Sequence, residues 1–597
     1  MSSRLQFHAV LLTLLGCAAP ISSLALDWKQ RENHRIASLV IPSTGKTGFT
    51  LVTNQTQGIF FTNTLSIARA KVNNNLLNGA GVAAGDFDGD GWCDLYFCNL
   101  DGTNALFRNL GNWQFEDVTL SSGTACLGAA STGAVFSDIN GDGRLDLLVS
   151  SCGGPVTCFI NLGDGHFTNT TSSSGIIAGN GATSMTLADI DGDGDLDLYV
   201  ANYAKLSLLR SGGAIAMRNV NGHPVVTGPG SERIRIVNGK LVELGEPDVL
   251  YLNDGRGHFT PVSWIKGAFL DEAGEPLKEA PQELGLSAMF RDINGDGAPD
   301  LYVCNDYEAP DRIWINNGKG QFRALARAAL RSGSRFSMSV DFADINRDGH
   351  DDFIVVDMLS RSHLLRTTQM GVLEPEPRQP GRYDDRPQIR RNTLFLNQGD
   401  GAYTEIANYG GVEASDWTWC VAFMDVDLDG FEDLLVANGH AFDIQDFDAT
   451  ERIQRLGRPR SAEIARDYLI QFPPLRTPNY AFRNQGNLTF AETGTEWGFD
   501  SKQVSHGMVL ADLDNDGDLD VVVNCLNAPP LLYRNNSDRP RVAVRLKGNS
   551  PNTKGIGATI RVTGFGHLRL SKSLREVATS PVTNPCAYLP PAQPPMN

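Results

Sequence analysis

The most constraining feature of the sequence is a nine-residue pattern that occurs seven times. It reads Asp, apolar, Asp or Asn, any residue, Asp, Gly, two further residues, Asp. The copies begin at Asp86, Asp138, Asp189, Asp292, Asp344, Asp425 and Asp512. One copy would be weak evidence, whereas seven copies in one chain indicate a repeat architecture.

The spacing of the pattern has a chemical reason. A hard cation such as Ca²⁺ needs six or more oxygens at short range, and alternate side chains of a tight loop converge on one point. We predict ligands at positions 1, 3, 5 and 9, and a backbone carbonyl ligand at position 7. The predicted metal residues are Asp86, Asp88, Asp90, Trp92 and Asp94; Asp138, Asn140, Asp142, Arg144 and Asp146; Asp189, Asp191, Asp193, Asp195 and Asp197; Asp292, Asn294, Asp296, Ala298 and Asp300; Asp344, Asn346, Asp348, His350 and Asp352; Asp425, Asp427, Asp429, Phe431 and Asp433; and Asp512, Asp514, Asp516, Asp518 and Asp520. The cofactor prediction is therefore up to seven Ca²⁺ ions, and Mg²⁺ is the weaker candidate because it prefers to keep its waters.

The loops differ from EF-hands. An EF-hand has a bidentate Glu at position 12 and a helix on either side. In these loops position 12 is Phe97 in the first copy and valine in the other six, and position 10 is apolar as well. Alternation with a period of two predicts a strand after each loop. Position 6 is always glycine, which permits a sharp turn that a Cβ would obstruct.

The acidity of the chain is concentrated in these loops. Positions 1, 3, 5 and 9 hold 25 carboxylates, and the formal net charge is -18. Three or four carboxylates a few ångströms apart repel one another strongly at an effective dielectric near 20. The metal is therefore expected to be part of the fold. The negative charge also argues against nucleic acid as a partner.

A second motif, aromatic-x-Asn, follows each loop and predicts a hairpin. The copies end at Asn109, Asn161, Asn253, Asn316, Asn397, Asn484 and Asn535. Four short strands per unit of about fifty residues are typical of a propeller blade. The seventh hairpin lacks the outer strand seen after the others, and residues 49–53 resemble such a strand with no hairpin before it. We predict an all-β, seven-bladed β-propeller over residues 46–536, closed by this N-terminal strand, with a short C-terminal β segment.

Three long insertions interrupt the units after the third, fifth and sixth loops, near residues 203–246, 359–390 and 439–476. All three fall in the same connection of the blade, so they should lie on one face of the ring. Long loops on a rigid framework often carry recognition, although long surface insertions are also thermodynamically cheap.

The N-terminus is typical of an export signal. Arg4 precedes an apolar run from Ala9 to Ala19 that is too short to span a bilayer. Residues 1–25 are predicted to be a signal peptide, and a competing lipobox pattern would end on a lipidated Cys17. The predicted location is secreted or in the cell envelope, with membrane attachment only through Cys17. Export permits disulfides, but the spacing of the cysteines assigns no pairing.

The loop and hairpin residues resemble the FG-GAP/VCBS repeats of integrin alpha-like propellers. Residues 541–548 and 555–558 resemble the start of an ASPIC/UnbV domain, so residues 540–597 are predicted to be a partial or truncated copy of it. Together the two resemblances suggest bacterial relatives of cartilage acidic protein. The resemblance implies a secreted, calcium-binding propeller with no assigned activity.

The functional prediction is a binding or adhesion module for an extracellular protein or polysaccharide, held on the face with the insertions. One alternative is a polysaccharide hydrolase or lyase at that face, around His440, Asp443 and Asp446 or the run from Asp306 to Glu308. Another is a periplasmic docking or assembly scaffold. The sequence contains no His-Glu-x-x-His, Gly-x-Ser-x-Gly or phosphate-loop motif, and no catalytic residue is predicted.

Overall fold

The computed structural model describes residues 26–42, 45–52, 57–177, 179–210, 215–237, 240–307, 309–370, 386–457, 461–564, 567–572 and 586–589. Seven antiparallel sheets radiate from one axis and confirm the predicted seven-bladed propeller. The signal peptide, Cys17 and Glu308 lie outside the described residues, so the statements about them stay predictions.

Each blade has four antiparallel strands, and in blade 4 the short strand Phe269–Leu270 adds a fifth that pairs parallel with the outer one. The four strands are ordered here from the inner to the outer strand. They are Val82–Gly85, Asp94–Phe97, Ala105–Asn109 and Phe115–Asp117 in blade 1; Ser131–Ser137, Asp146–Ser151, Thr157–Asn161 and Phe167–Asn169 in blade 2; Ala182–Ala188, Asp197–Asn202, Val249–Asn253 and Phe259–Pro261 in blade 3; Gly285–Arg291, Asp300–Asn305, Arg312–Asn316 and Phe322–Ala324 in blade 4; Ser339–Ala343, Asp352–Val356, Thr393–Asn397 and Tyr403–Glu405 in blade 5; Thr418–Met424, Asp433–Asn438, Tyr480–Asn484 and Phe490–Glu492 in blade 6; and Ser505–Ala511, Asp520–Cys525, Leu531–Asn535 and Phe49–Val52 in blade 7.

The outer strand of blade 7 comes from the N-terminal part of the chain, as predicted. Phe49–Val52 pairs antiparallel with Leu531–Asn535, with Phe49 opposite Asn535. The ring is therefore closed by a sheet that joins the two ends of the propeller sequence. Closure of this kind removes an exposed sheet edge.

The core consists of seven apolar clusters, one between each pair of neighbouring blades. The inner strands of adjacent blades pack against one another all the way round, including blade 7 against blade 1. These strands are almost entirely buried on both faces, so they lack the regular alternation of a half-exposed strand and carry mainly apolar and small side chains. The apolar residue at position 2 of each loop lies in these interfaces, as Phe87 and Ile139 illustrate.

Strand alternation separates the connections onto two faces. The nine-residue loops join the first and second strands and lie on one face, termed the loop face. The three insertions join the second and third strands and lie with the blade-to-blade connections on the opposite face, termed the insert face. The prediction that the insertions share one connection and one face is confirmed.

The insertions carry their own short elements. These are the hairpins Ala216–Val220 with His223–Thr227 and Ile234–Val237 with Lys240–Glu243, and the helices Ser231–Arg233 (3-10), His363–Met370, Phe447–Arg455, Ala462–Asp467 and Leu469–Gln471 (3-10). The segment before blade 1 adds the helix Ile67–Val72 and the 3-10 helix Asn74–Asn78, which lies over the mouth of the ring.

The remaining elements are short. They are the helices Thr119–Ser122, Ala407–Gly410 and Gly494–Trp497, and the strands Lys29–Gln30, Arg35–Ile36, Phe269–Leu270, Gly333–Ser334, Gln388–Ile389, Val542–Arg545, Thr559–Gly564, His567–Lys572 and Cys586–Leu589. The last four strands form the C-terminal β segment. Among the described helices, none combines the length and apolar character needed to cross a membrane.

Candidate functional site

The seven loops share one backbone conformation. In each loop the N–H of the glycine at position 6 donates to the aspartate at position 1, over 2.7–3.1 Å. All seven glycines have φ between 90° and 95°. Residues other than glycine rarely adopt this conformation, which confirms why the pattern keeps glycine at position 6.

The aspartate at position 9 fixes each loop to its blade. One of its oxygens accepts the N–H of position 2 over 2.9–3.2 Å. The other accepts the N–H of the hairpin asparagine over 2.7–2.9 Å. This residue therefore holds the hairpin against the loop as well as offering its remaining lone pairs to a cation.

Four loops bring three carboxylates together. Their ligand oxygens lie within 4.8 Å of one another in the sets Asp86, Asp88 and Asp90; Asp189, Asp191 and Asp197; Asp425, Asp427 and Asp433; and Asp512, Asp514 and Asp520. In the other three loops position 3 is an asparagine, whose amide oxygen replaces one carboxylate. These groups could hold a metal ion, while the full set of 35 predicted ligands stays a prediction.

The electrostatics of the loops favour a bound cation. Desolvation by burial raises the pKa of all seven aspartates at position 9, for example to about 7 for Asp146 and to about 8 for Asp197 and Asp352. Among the described residues no hydrogen-bond donor reaches the buried Oδ1 atoms of Asp86 and Asp514. Buried carboxylate oxygens without donors are costly, and a hard divalent cation would satisfy them.

The hairpin asparagine has a role that the sequence analysis missed. In six blades its Nδ2 donates to the carbonyl of position 2 in the preceding blade over 2.8–3.2 Å, as in the bond from Asn161 to Phe87 O. In blade 5 the Tyr403 hydroxyl makes this bond instead, to Ile293 O at 3.0 Å. Each asparagine in those six blades thus joins two neighbouring loops. The recurrence of asparagine at this position in the sequence could have indicated such a structural role.

Arginines accompany three of the four loops that have four carboxylates. The middle residue of the hairpin motif is Arg108, Arg483 or Arg534 in blades 1, 6 and 7. Arg108 Nη2 lies 2.9 Å from Asp90, Arg483 Nη2 lies 2.6 Å from Asp427, and Arg534 Nε lies 3.0 Å from Asp514. These guanidinium groups offset part of the carboxylate charge at the rim of the loop face.

The C-terminal segment crosses the loop face. The fully buried Arg541 side chain pairs with Asp516 and Asp518 of the blade 7 loop. Further along, Ser550 Oγ donates to Gly141 O at 2.8 Å and Lys554 Nζ donates to Gly143 O at 3.0 Å in the blade 2 loop. The segment therefore links loops of two blades across the ring.

The three insertions meet on the insert face although they are far apart in sequence. Gln369 Nε2 donates to Asp443 Oδ2 at 2.9 Å, and Arg390 Nη2 donates to Gln445 Oε1 at 3.0 Å. The first insertion contacts the segment before blade 1, because Arg210 Nη2 donates to Asn75 Oδ1 at 3.0 Å. The insertions thus form one layer over the mouth of the ring.

This layer encloses a cavity of about 370 Å³ at its centre. All three insertions line it, together with the segment before blade 1. Its charged lining residues are Arg210, Arg390, Arg466 and Asp306, and its aromatic ones are Tyr307, Phe336, Trp417, Trp419, Tyr468 and Phe472. Its volume lies in the range of small-molecule sites. A second cavity of about 710 Å³ adjoins it and shares Arg210, Asp306 and Tyr307 with it.

The residues considered for catalysis have structural partners. His440 stacks on Trp417 with ring centroids 4.3 Å apart, and burial lowers its pKa to about 4. Asp443 accepts from Gln369, and the Asp446 side chain caps the helix Phe447–Arg455. Asp306 accepts from the Tyr203 hydroxyl at 2.7 Å. The first three residues lie together, but their contacts stabilise the insertions.

The family model described as FG-GAP-like repeat matches residues 86–149, 138–200, 292–355, 384–436 and 466–523, and each match includes a loop and the strand that follows it. This protein is an FG-GAP repeat β-propeller. Cartilage acidic protein 1 of Xenopus tropicalis is 27% identical over 249 residues, which are 41% of this chain and 32% of that protein. The human protein is 26% identical over 151 residues, which are 25% of this chain and 23% of that protein.

The aligned region therefore spans about a third or less of these relatives. A solved Agrocybe aegerita lectin that recognises non-reducing terminal N-acetylglucosamine has a TM-score of 0.36 and 15% identity, over 74% of this chain and 88% of that chain. The rhamnogalacturonan lyase YesW has a TM-score of 0.27 and 12% identity, over 77% of this chain and 89% of that chain. The resemblance of the C-terminal segment to an ASPIC/UnbV domain stays a prediction.

Proposed function

We propose that this protein is an exported, calcium-loaded propeller that binds an extracellular protein or polysaccharide through its insert face. The observation that carries the proposal is the convergence of three separate insertions around one cavity. Calcium in the seven loops stabilises the ring from the opposite face. The FG-GAP repeats and the similarity to cartilage acidic protein 1 favour an extracellular location.

The calcium part of the proposal is supported by the chemistry of the loops. Oxygen ligands at alternating positions suit Ca²⁺, and buried carboxylates without donors need a cation. When bound, the ion supplies positive charge and fixed geometry to each loop. The chain's own residues hold each loop in place. The aspartate at position 9 binds the backbone of the hairpin, and the hairpin asparagine joins adjacent blades.

The binding part of the proposal is supported by the structural difference between the two faces. The loops and hairpins on the loop face are nearly uniform, whereas the insert face concentrates the irregular segments. Recognition commonly lies on such segments above a rigid framework. The polysaccharide hydrolase or lyase alternative gains no support from His440, Asp443 or Asp446, because each has a structural contact.

The calcium part is tested by thermal unfolding of residues 26–597 in saturating Ca²⁺ and in a chelator, with titration of bound metal per chain. We expect close to seven ions and a large rise in Tm. No shift in Tm, or a single bound ion, would contradict the seven-loop account.

The binding part is tested by capture of extracellular proteins and glycans on the loaded protein, with variants of the cavity as controls. Binding that the cavity variants abolish is the expected result. Stable co-purification of one periplasmic protein would instead favour the docking-scaffold alternative.

A further inference from the structure

The three insertions carry an excess of basic residues in an acidic protein. The three insertions, residues 203–246, 359–390 and 439–476, contain 18 Lys and Arg against 13 Asp and Glu. Their formal charge is therefore positive, in a chain whose net charge is -18. The central cavity follows the same trend, since three arginines and one aspartate are its charged lining residues. A cavity of this kind attracts anions.

Arg210 is the residue of this cavity that points most directly to an anionic ligand. Its guanidinium is half-buried and lines both cavities. Its hydrogen bonds go to neutral oxygens, namely Asn75 Oδ1 at 3.0 Å, the Tyr203 hydroxyl at 2.7 Å, Ser207 Oγ at 3.2 Å and the Tyr307 hydroxyl at 3.4 Å. Asp306 is joined to it through the Tyr203 hydroxyl. Four of its five N–H groups are used in these bonds, so this half-buried guanidinium can still donate one charge-assisted hydrogen bond to an added carboxylate.

The wall beside Arg210 adds a second arginine and aromatic rings. The Arg390 guanidinium lies 5.2 Å from the centre of the Phe336 ring, and Tyr307 meets the same ring edge-on at 5.4 Å. Tyr307 has a φ of 65°, an unfavourable backbone conformation for a bulky residue, and such strain is concentrated at functional sites. Carboxylate-binding groups beside ring faces match a ligand that combines a carboxylate with a flat apolar face.

We infer that the insert-face cavity binds carboxylate-bearing sugar units of an acidic polysaccharide. A uronic acid unit presents a carboxylate to Arg210 and Arg390 and a C–H face to the aromatic wall. The adjoining cavity of about 710 Å³ gives consecutive units room to continue past Tyr307. This inference rests on the proposed binding function and names its ligand class.

The test uses the full mature chain at fixed free Ca²⁺ and isothermal titration calorimetry. The probes are trigalacturonate, its methyl ester, a tri-glutamate peptide and neutral maltotriose. The variants are Arg210→Gln and Arg390→Gln, with Arg218→Gln as the control because Arg218 is an exposed arginine on the first insertion. Thermal unfolding confirms that each variant is folded before titration.

We expect trigalacturonate to bind and its ester to bind at least about tenfold more weakly, because charge-assisted hydrogen bonds to the carboxylate are lost. Arg210→Gln and Arg390→Gln should each weaken binding by about tenfold or more, and Arg218→Gln should not. Because Arg210 has several intramolecular bonds, Arg390→Gln keeps the test valid if Arg210→Gln unfolds the protein.

Three results would overturn the inference. Equal affinity for the acid and the ester would exclude carboxylate recognition, and selective binding of tri-glutamate would replace the sugar with an acidic peptide. Both results leave the proposed binding function intact. Binding of none of the probes by folded, calcium-loaded protein would overturn the ligand class, while metal stoichiometry and capture experiments would judge the proposed function separately.

Discussion

At the residue scale, the hairpin asparagine links the loops to the ring. Its backbone N–H holds the aspartate at position 9, and its side chain bonds to the preceding blade. The same residue therefore couples the geometry of a metal loop to the interface between blades. This double role accounts for the asparagine in six units, whereas in blade 5 the Tyr403 hydroxyl makes the bond to the preceding blade.

Asn316 and Asn317 provide a matched pair for testing this role. Asn316→Ala removes two bonds to backbone carbonyls, Ile190 O at 2.8 Å and Pro299 O at 3.1 Å. We expect it to lower the free energy of unfolding by about 2–4 kcal/mol, because buried carbonyls lose their donors. Asn317→Ala, at an exposed neighbour, should cost about 1 kcal/mol or less. Equal losses in denaturant titrations would refute the coupling.

Two buried histidines predict a pH dependence. Burial lowers the pKa of His440 from 6.5 to about 4 and that of His506 to about 3, and the Arg210 charge adds to the effect on His440. The folded state therefore keeps both rings neutral, while the unfolded chain takes up protons below pH 6.5. Their contribution to stability is complete above that value and is lost as the pH falls towards the folded pKa values.

The histidine contribution is measured by unfolding wild-type protein and the double variant His440→Gln, His506→Gln between pH 7 and 4.5 in saturating Ca²⁺. The wild type should lose stability faster on acidification, by up to about 1.4 kcal/mol per pH unit for each histidine. Asp306, whose pKa burial raises to about 6, acts in the opposite direction in both proteins and cancels in the difference. The exposed His223→Gln is the control, and parallel pH profiles would contradict the prediction.

At the element scale, the outer strand of blade 7 shows that the spacing of repeats can predict a pairing between strands far apart in the sequence. The missing strand after Asn535 and the orphan strand at residues 49–52 predicted their pairing, which the structure confirms. The period of the loops likewise predicted the number of blades and the face of the insertions. Each of these conclusions depends on a pattern repeated along the chain.

Contacts between segments that lie outside the repeated units could not be predicted from the sequence. Arg210 meets Tyr203 and Asn75, and Gln369 meets Asp443, only because the folded ring brings separate insertions together. Nothing in their local spacing distinguishes them from other polar residues. The insert-face cavity therefore became visible only in the structure, whereas the Asp-rich loops were visible in the sequence.

The closing strand can be tested by two substitutions that differ in burial. Phe49 is buried and packs against Phe499 and Tyr533 at 5.6 and 6.0 Å, whereas Leu51 is 48% exposed. Phe49→Ala should cost about 3–4 kcal/mol of stability, and Leu51→Ala about 1 kcal/mol or less. Hydrogen exchange should increase selectively in Leu531–Asn535. Protection that is unchanged in that strand would contradict its role in closing the ring.

At the scale of the whole molecule, the two faces differ in the residues that they carry. The loop face concentrates carboxylates, and the C-terminal segment contributes Arg541, Arg545 and Lys554 to it. The insert face carries the cavities, and its three insertions have more basic than acidic residues. The regular loops and the irregular insertions therefore lie on opposite faces of the ring.

The C-terminal segment should respond to the state of the loops. Arg545 Nη2 donates to Asn515 Oδ1 at 2.7 Å, and Lys554 Nζ donates to Gly143 O, so both side chains are held by loop atoms. Removal of Ca²⁺ leaves neighbouring carboxylates repelling one another, which loosens the loops and releases the segment. We expect trypsin to cleave after Arg545 and Lys554 at least about tenfold faster in chelator than in Ca²⁺, since cleavage follows the open population.

Arg541→Gln should raise this cleavage even in saturating Ca²⁺, because Asp516 and Asp518 lose the buried guanidinium that holds the segment to the blade 7 loop. Lys547→Gln, at an exposed position further along the segment, should not change cleavage at Arg545 and Lys554. Peptide mapping by mass spectrometry distinguishes the sites. Equal rates with and without Ca²⁺ would mean that the segment is held independently of the metal loops, whereas faster cleavage restricted to the chelated protein would tie the C-terminal segment to the calcium-loaded ring.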